Sequence, residues 1–140
     1  MLIVIRSYRD GDRDDVVALW EDCGLLRPWN DPDKDIRRKQ AVQSHLFLVA
    51  ELDDRIVGSA MAGYDGHRGW MNYLATDPAH RHQGIATMVM EAVEKGLAEM
   101  GCPKINIQIR ADSVQAAKFY ESIGFTGDDM ISMGKRLEAD

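Results

Sequence analysis

Between His80 and Val89 the chain reads HRHQGIATMV, a set of residue types suited to holding an anion. A turn leads into an amphipathic run, so the N–H groups of Gln83, Gly84, Ile85, Ala86 and Thr87 fall at the start of a helix. The first four N–H groups of a helix have no partner inside it, and the helix dipole adds about half a positive charge there. Such an end holds phosphate. Gly84 lacks a Cβ, which lets a phosphate approach the backbone, and Ala86 is the next smallest choice. Arg81 and His82 add charge at the rim, and Thr87 adds a hydroxyl. The plain alternative is a strand-to-helix turn that needs a glycine. The Gly-Lys-Ser/Thr ending of a Walker loop is absent, and so is the three-glycine dinucleotide fingerprint.

A second group lies in DSVQAAKFYESIGF, residues 112–125. Tyr120 shares a helical face with Phe119 and Ala116. A tyrosine there is either core, with its hydroxyl satisfied at the edge, or a phenol facing a cleft where the sheet opens.

These residues need elements to position them. LIVIR reads as a first strand, and 12–23 as a helix with Val16, Leu19, Trp20 and Cys23 on one face. Asp31 is a fitting N-cap for a second helix running to about His45, with Pro32 at its first position. Its apolar face is poor, mainly Ile36, Ala41 and Val42. It reads as a solvated surface helix, with a mobile lid as the alternative. LFLVAEL, RIVGSAMAGY and WMNYLAT follow as three strands. Asp53-Asp54 joins the first pair and Asp65-Gly66 with HRG the second. A long helix then runs to about Met100 on Ile85, Met88, Val89, Ala92, Val93 and Leu97, with Gly101 as its stop. KINIQIR alternates as a strand, with Ile105, Ile107 and Ile109 facing one way. Asp112 and Gln115 resemble a capping box for the last helix, Gly124 ends it, and MISMGKRL offers a final strand. The order β-α-α-β-β-β-α-β-α-β gives an α+β fold with a mixed, mostly antiparallel sheet flanked by helices, in one domain over residues 1–140.

The 140 residues carry a net charge of −6, which argues against a nucleic-acid partner. Apolar residues make up 45%, enough for one ordinary core. Cys23 and Cys102 stand far apart with no ligand spacing, so no metal site is expected and a reducing, cytoplasmic setting is. No apolar run approaches the ~20 residues of a membrane span. Eight methionines and three tryptophans leave room for an apolar interface, so a homodimer is compatible with the composition.

Together the two groups resemble the GCN5-related N-acetyltransferase (GNAT) superfamily. Its coenzyme A loop, Arg/Gln-x-x-Gly-x-Gly/Ala, is matched by Arg81-His82-Gln83-Gly84-Ile85-Ala86. Its later motif, Tyr-Glu-x-x-Gly-Phe, is matched by Tyr120-Glu121-Ser122-Ile123-Gly124-Phe125. LLRPWNDP and YDGHRG are similar to a small bacterial branch, the YpeA type. The resemblance implies the acetyltransferase fold, with acetyl-CoA as co-substrate in a wedge between the fourth and fifth strands. The pyrophosphate would rest on the amides of residues 83–87, and the pantetheine arm on backbone groups of Leu74, Ala75 and Thr76. Ser113 stands where the family often has a cofactor-contacting asparagine; its shorter hydroxyl reaches the cofactor through water or only helps to cap the helix.

The implied reaction is attack of a primary amine, on a small molecule or peptide, on the thioester. The amine must be neutral although a lysine-like amine has a pKa near ~10.4, so a base, a water path or a pKa-lowering site is needed. A backbone N–H near Ala75 would meet the charge on the carbonyl oxygen. Tyr120, a phenol with a pKa near ~10, would protonate the leaving thiolate. Gln108 stands where some members carry a glutamate base. Glu51, Asp65, His67 and Tyr73 are the remaining base candidates, and Arg27, Trp29 and Asp31 are substrate-side contacts, with Trp29 as a packing plug the alternative. A catalytically idle acyl-CoA binding or sensor domain is the competing expectation. A nucleotide-binding module of another fold fits poorly.

Overall fold

The computed structural model describes residues 2–140. Five strands form one sheet in the order β1-β2-β3-β4-β5: Ile3–Ser7, Phe47–Leu52, Arg55–Tyr64, Gly69–Thr76 and Ile105–Ile107. Four α-helices accompany them: α1 (Arg13–Asp22), α2 (Pro32–Gln40), α3 (Ile85–Glu99) and α4 (Val114–Ser122). The chain divides into two compact units, residues 1–106 with Asp140, and residues 107–139.

The first four strands pair antiparallel in sequence order, through hairpins. Asp53 and Asp54 both have positive φ, the two-residue turn whose twist matches the strands it joins. At the next hairpin Asp65 Oδ1 accepts from the amides of His67 and Arg68, an Asx turn. β4 reaches β5 through α3, and Gly69 at the head of β4 donates to the Lys104 carbonyl beside the head of β5 at 2.8 Å. Head beside head makes that pair parallel, so the sheet is mixed and the fold is α+β.

Buried residues run almost unbroken along β2 and β3 because both faces of these strands are covered. Neighbouring residues show how. Ser59 accepts from Trp20 of α1, while a Cβ on Gly58 would come within 3.0 Å of Ile85 of α3. Successive residues of a strand point to opposite faces, so α1 and α3 lie on opposite sides. The α1 side gathers Val16, Leu19, Trp20, Ile36, Phe47, Val49, Ile56, Met61 and Ala75.

Four expectations need correction. α2 ends at Gln40 rather than near His45, because Gln43 turns left-handed and its side chain pairs with both backbone groups of Tyr64, at 2.7 and 2.8 Å. β5 stops at Ile107, leaving Ile109 exposed. The N-cap of α4 is Ser113, not Asp112, and no side chain bonds the first turn there. MISMGKRL forms no strand; Met130, Ile131, Met133 and Leu137 are all exposed. Gly127 and the Asp128-Asp129 pair before it, with Gly134 inside it, interrupt a run too short to pair on its own.

Candidate functional site

β4 is irregular where its chemistry would lie. Ser59 faces Ala75 and Met61 faces Asn72, so two steps along β3 match three along β4. The extra residue makes a bulge, which drops backbone groups out of the ladder. Tyr73 sits there at φ +54°, strained for a side chain of its size. Three contacts hold it. Ser59, fully buried, accepts from Trp20 Nε1 at 2.9 Å and donates to the Tyr73 carbonyl at 2.9 Å. The Trp20 and Tyr73 rings stack at 3.9 Å. The Tyr73 hydroxyl donates to Asp35 of α2 at 2.6 Å. Burial, with Asp35 beside it, pushes the Tyr73 phenol well above its usual range, so it is a protonated donor and not a base. Leu74, Ala75 and Thr76 follow the bulge on β4.

The turn after β4 delivers the helix end the sequence calls for. Asp77 accepts from the Ala79 amide at 2.9 Å and starts a short 3-10 turn, Pro78–His80. Then His82 and Gly84 take left-handed backbone at φ +64° and +80°, and Gly84 is the N-cap of α3. Such alternation turns successive N–H groups toward one side. Among the described residues, no group of the protein accepts from the amides of 83–87. Residues 81–84 are exposed. A Cβ on Gly84 would meet nothing within 4 Å, so its requirement there is conformational and leaves the space over the amides open. Arg81 reaches Cys23 Sγ at 4.0 Å, and Cys23 in turn donates to the Thr76 carbonyl at 3.2 Å. This cradle fits a diphosphate: free donors, a positive helix end and no competing carboxylate bonded to them.

In the other unit, Tyr120 is 9% exposed, with Phe119 and Phe125 edge-on at 5.3 and 5.4 Å. Its hydroxyl bonds to no other described residue of the chain, and burial pushes its phenol up to about 12. Its carbonyl accepts from the amides of Ile123 and Phe125, which closes the helix at Gly124. Ser113 caps α4 through its backbone position alone. Gln108 donates to Ser132 Oγ.

The remaining candidates scatter. Glu51 is already taken: Arg6 Nε donates to it at 2.7 Å, and Arg6 also grips Asp12, so it belongs to the β1–β2 edge. His67 is exposed at its hairpin tip. Arg27 donates to the carbonyls of Gly24 and Leu26, closing the loop after α1. Trp29 is 56% exposed, which excludes the packing plug. Asp31 caps α2, accepting from the Asp33 amide at 2.9 Å. Sequence reasoning missed Trp20, Ser59 and Asp35. A lone serine in the apolar strand VGSAMA was the available signal, since a buried hydroxyl needs partners.

Comparison with known proteins bears on the family and the fold. The profile of the Acetyltransferase (GNAT) family matches residues 13–125. A Yersinia pestis (strain Pestoides F) protein named acetyltransferase is 47% identical over 136 residues, 97% of this chain and 96% of its own length. Among solved structures, Ard1 from Thermoplasma volcanium superposes with a TM-score of 0.76 at 19% identity, covering 90% of this chain and 84% of that one. Glucosamine-6-phosphate N-acetyltransferase from Arabidopsis thaliana gives 0.73 at 20%, covering 99% and 100%. These two show the fold. Among the described residues no helix is long and apolar enough to cross a membrane.

Proposed function

The chain belongs to the GNAT acetyltransferase family, whose acyl donor is acetyl-CoA, and from that premise we propose that it acetylates a primary amine of a small molecule or peptide by direct attack on the thioester. The observation that carries this reading is the row of unpartnered amides at 83–87, set by left-handed His82 and Gly84 and flanked by Arg81. Acetyl-CoA supplies the thioester. The residues of the chain bind, orient and move protons. The amides of Gln83 to Thr87 hold the pyrophosphate, with Arg81 and His82 at the rim. Leu74, Ala75 and Thr76 offer backbone groups to the pantetheine arm. The bulge at Tyr73 turns a nearby amide toward the charge that grows on the carbonyl oxygen.

Tyr120 takes the acid role. Its hydroxyl has no partner among the described residues to hold its proton back, and at about 12 its phenol is protonated at neutral pH. Ser113 remains a cofactor contact through water. The amine loses its proton to solvent, since Glu51 is held by Arg6 and Gln108 accepts no proton. That missing base favours a second reading, an acyl-CoA binding domain on the same fold that turns nothing over. We read residues 1–140 as one catalytic domain working in a reducing, cytoplasmic compartment, where both free cysteines persist.

Calorimetry with acetyl-CoA tests the cradle, and absence of saturable binding ends both readings. Thiol release with an amine panel divides them: turnover supports the enzyme, whereas binding without turnover across the panel supports the idle domain.

A further inference from the structure

α2 is polar over most of its surface, yet its first turn is not left to water. The side chain of Asp140 is seated there, 3% exposed. Its Oδ2 accepts from the Asp31 amide at 2.8 Å, and its Oδ1 from Arg38 Nη2 at 2.7 Å. The Asp140 carbonyl accepts from Lys34 Nζ at 2.9 Å. A buried carboxylate is costly unless every oxygen is paired, and here an amide and a guanidinium pair it. All three donors belong to one short stretch: the Asp31 amide at the N-cap of α2, and the Lys34 and Arg38 side chains four residues apart on one face of it. The seat is therefore built without Asp140. What it holds is a tethered carboxylate, and the residues before it, 123–139, form no helix or strand.

The seat adjoins the β4 bulge. Asp35, one turn along α2 from Asp31, accepts the Tyr73 hydroxyl at 2.6 Å and also Arg38 Nη1 at 3.3 Å. Arg38 thus bridges the seat and the residue that anchors the bulge. The Tyr73 phenol feels burial first, then Asp35, and also the charge of Asp140.

We propose that the Asp31 amide, Lys34 and Arg38 form the acceptor's carboxylate subsite, filled by Asp140 in the resting chain, and that the acceptor is a primary amine that also carries a carboxylate. This rests on the acetyl-transfer reading above. Asp35 provides the complementary negative charge for the ammonium end before it loses its proton to solvent. The amine nitrogen then bonds to the thioester carbon and gives up its second proton to solvent, the C–S bond breaks, and the electron pair leaves on sulfur, which takes a proton from Tyr120, itself reprotonated from solvent. Asp140 competes at the effective concentration its tether sets, and an acceptor in trans must displace it.

The test uses the full chain with Asp140→Asn, whose folding is checked by its melting curve. Succinate is the probe for the empty seat, read by calorimetry without acetyl-CoA. A series of ω-amino acids, from glycine to 6-aminohexanoate, is assayed against the corresponding amides. The expected result is succinate binding at least tenfold tighter to Asp140→Asn than to the parent. For at least one amino acid, the KM ratio to its amide should also fall about tenfold. Arg38→Gln in that background should remove both effects. Asp140→Ala must reproduce the Asn result, and it carries the test if the Asn variant folds poorly. Equal succinate binding with unchanged KM ratios would show a structural clasp only and overturn the proposal. Failure of acetyl-CoA to bind would instead overturn the acetyl-transfer reading, whatever succinate does.

Discussion

The two compact units carry different halves of the proposed chemistry and are built to different standards. Residues 1–106 hold the cradle and the bulge on a sheet buried on both faces, with side chains from Val16 to Leu97 at or near zero exposure. Among residues 107–139, Tyr120 is the one buried side chain, while Met130, Ile131, Met133 and Leu137 face solvent. Burial of apolar surface is the main source of stability, so the first unit is the stiff one and the second draws little stability from this source. The proposed diphosphate site rests on fixed amides in the stiff part, and the proposed proton donor, Tyr120, lies in the other unit.

The hardest way to break this contrast is to remove its largest buried ring. Trp20→Ala deletes the stack on Tyr73 and the donor to Ser59, and should cost ~3–5 kcal/mol of unfolding stability, measured by urea denaturation. Ile131→Ser in the other unit should change stability by less than ~0.5 kcal/mol. Similar losses from both would erase the distinction.

Tyr120→Phe separates chemistry from stability. The lost hydroxyl has no partner in the described chain, so the melting curve should hardly move, while kcat falls ~100-fold, about 2.7 kcal/mol of barrier. With the phenol pushed up to about 12, any alkaline loss of the acid should lie near that value and not near the usual ~10. Unchanged turnover would remove Tyr120 from the reaction.

What the sequence made legible follows the range of the forces involved. The turn into α3 was readable because glycine conformation and helix-end amides are local. The hairpins at Asp53 and Asp65 were readable for the same reason. The bulge was not, because one extra residue in β4 shows only against the register of β3. The seat of Asp140 was not, since its partners Asp31, Lys34 and Arg38 lie more than a hundred residues earlier. The end of α2 escaped because Gln43 pairs across space with Tyr64, against a periodic pattern that ran on. The place of Tyr120 on the inner face of its helix was legible; the lack of a hydroxyl partner among the described residues was not.

Two smaller changes sharpen the picture of the stiff unit. Ser59→Ala leaves Trp20 Nε1 and the Tyr73 carbonyl without their shared partner inside the core, costing about 1–3 kcal/mol of stability. If Ser59 also positions the bulge, kcat should fall with acetyl-CoA affinity kept. Equal losses in kcat and in acetyl-CoA affinity would make Ser59 purely structural. Gly84→Asp puts a β-carbon at φ +80° and a negative charge beside the amides, so the acetyl-CoA dissociation constant should rise about tenfold, near 1.4 kcal/mol. Normal binding by a folded Gly84→Asp would contradict the cradle.

The smallest effect probes the rim of the same unit. Asp12 accepts two hydrogen bonds from Arg6, at 2.7 and 2.9 Å, and one from the Arg9 amide at 2.8 Å. The Arg6 hydrogen bond, chiefly, holds its carboxyl below the usual range. A carboxylate depressed in the folded state adds stability that is complete above its unfolded pKa of ~3.9 and is lost as pH falls through the folded value. The pair is partly exposed, so its contribution is ~0.2–1 kcal/mol. Asp12→Asn should therefore lower stability slightly at pH 7, and the gap from the parent should close as pH drops from about 4 toward 2. A gap that persists at pH 2 would mean that Asp12 supports the turn into α1 by shape and not by charge, and the β1 edge would then join the apolar core as a pH-independent part of the scaffold.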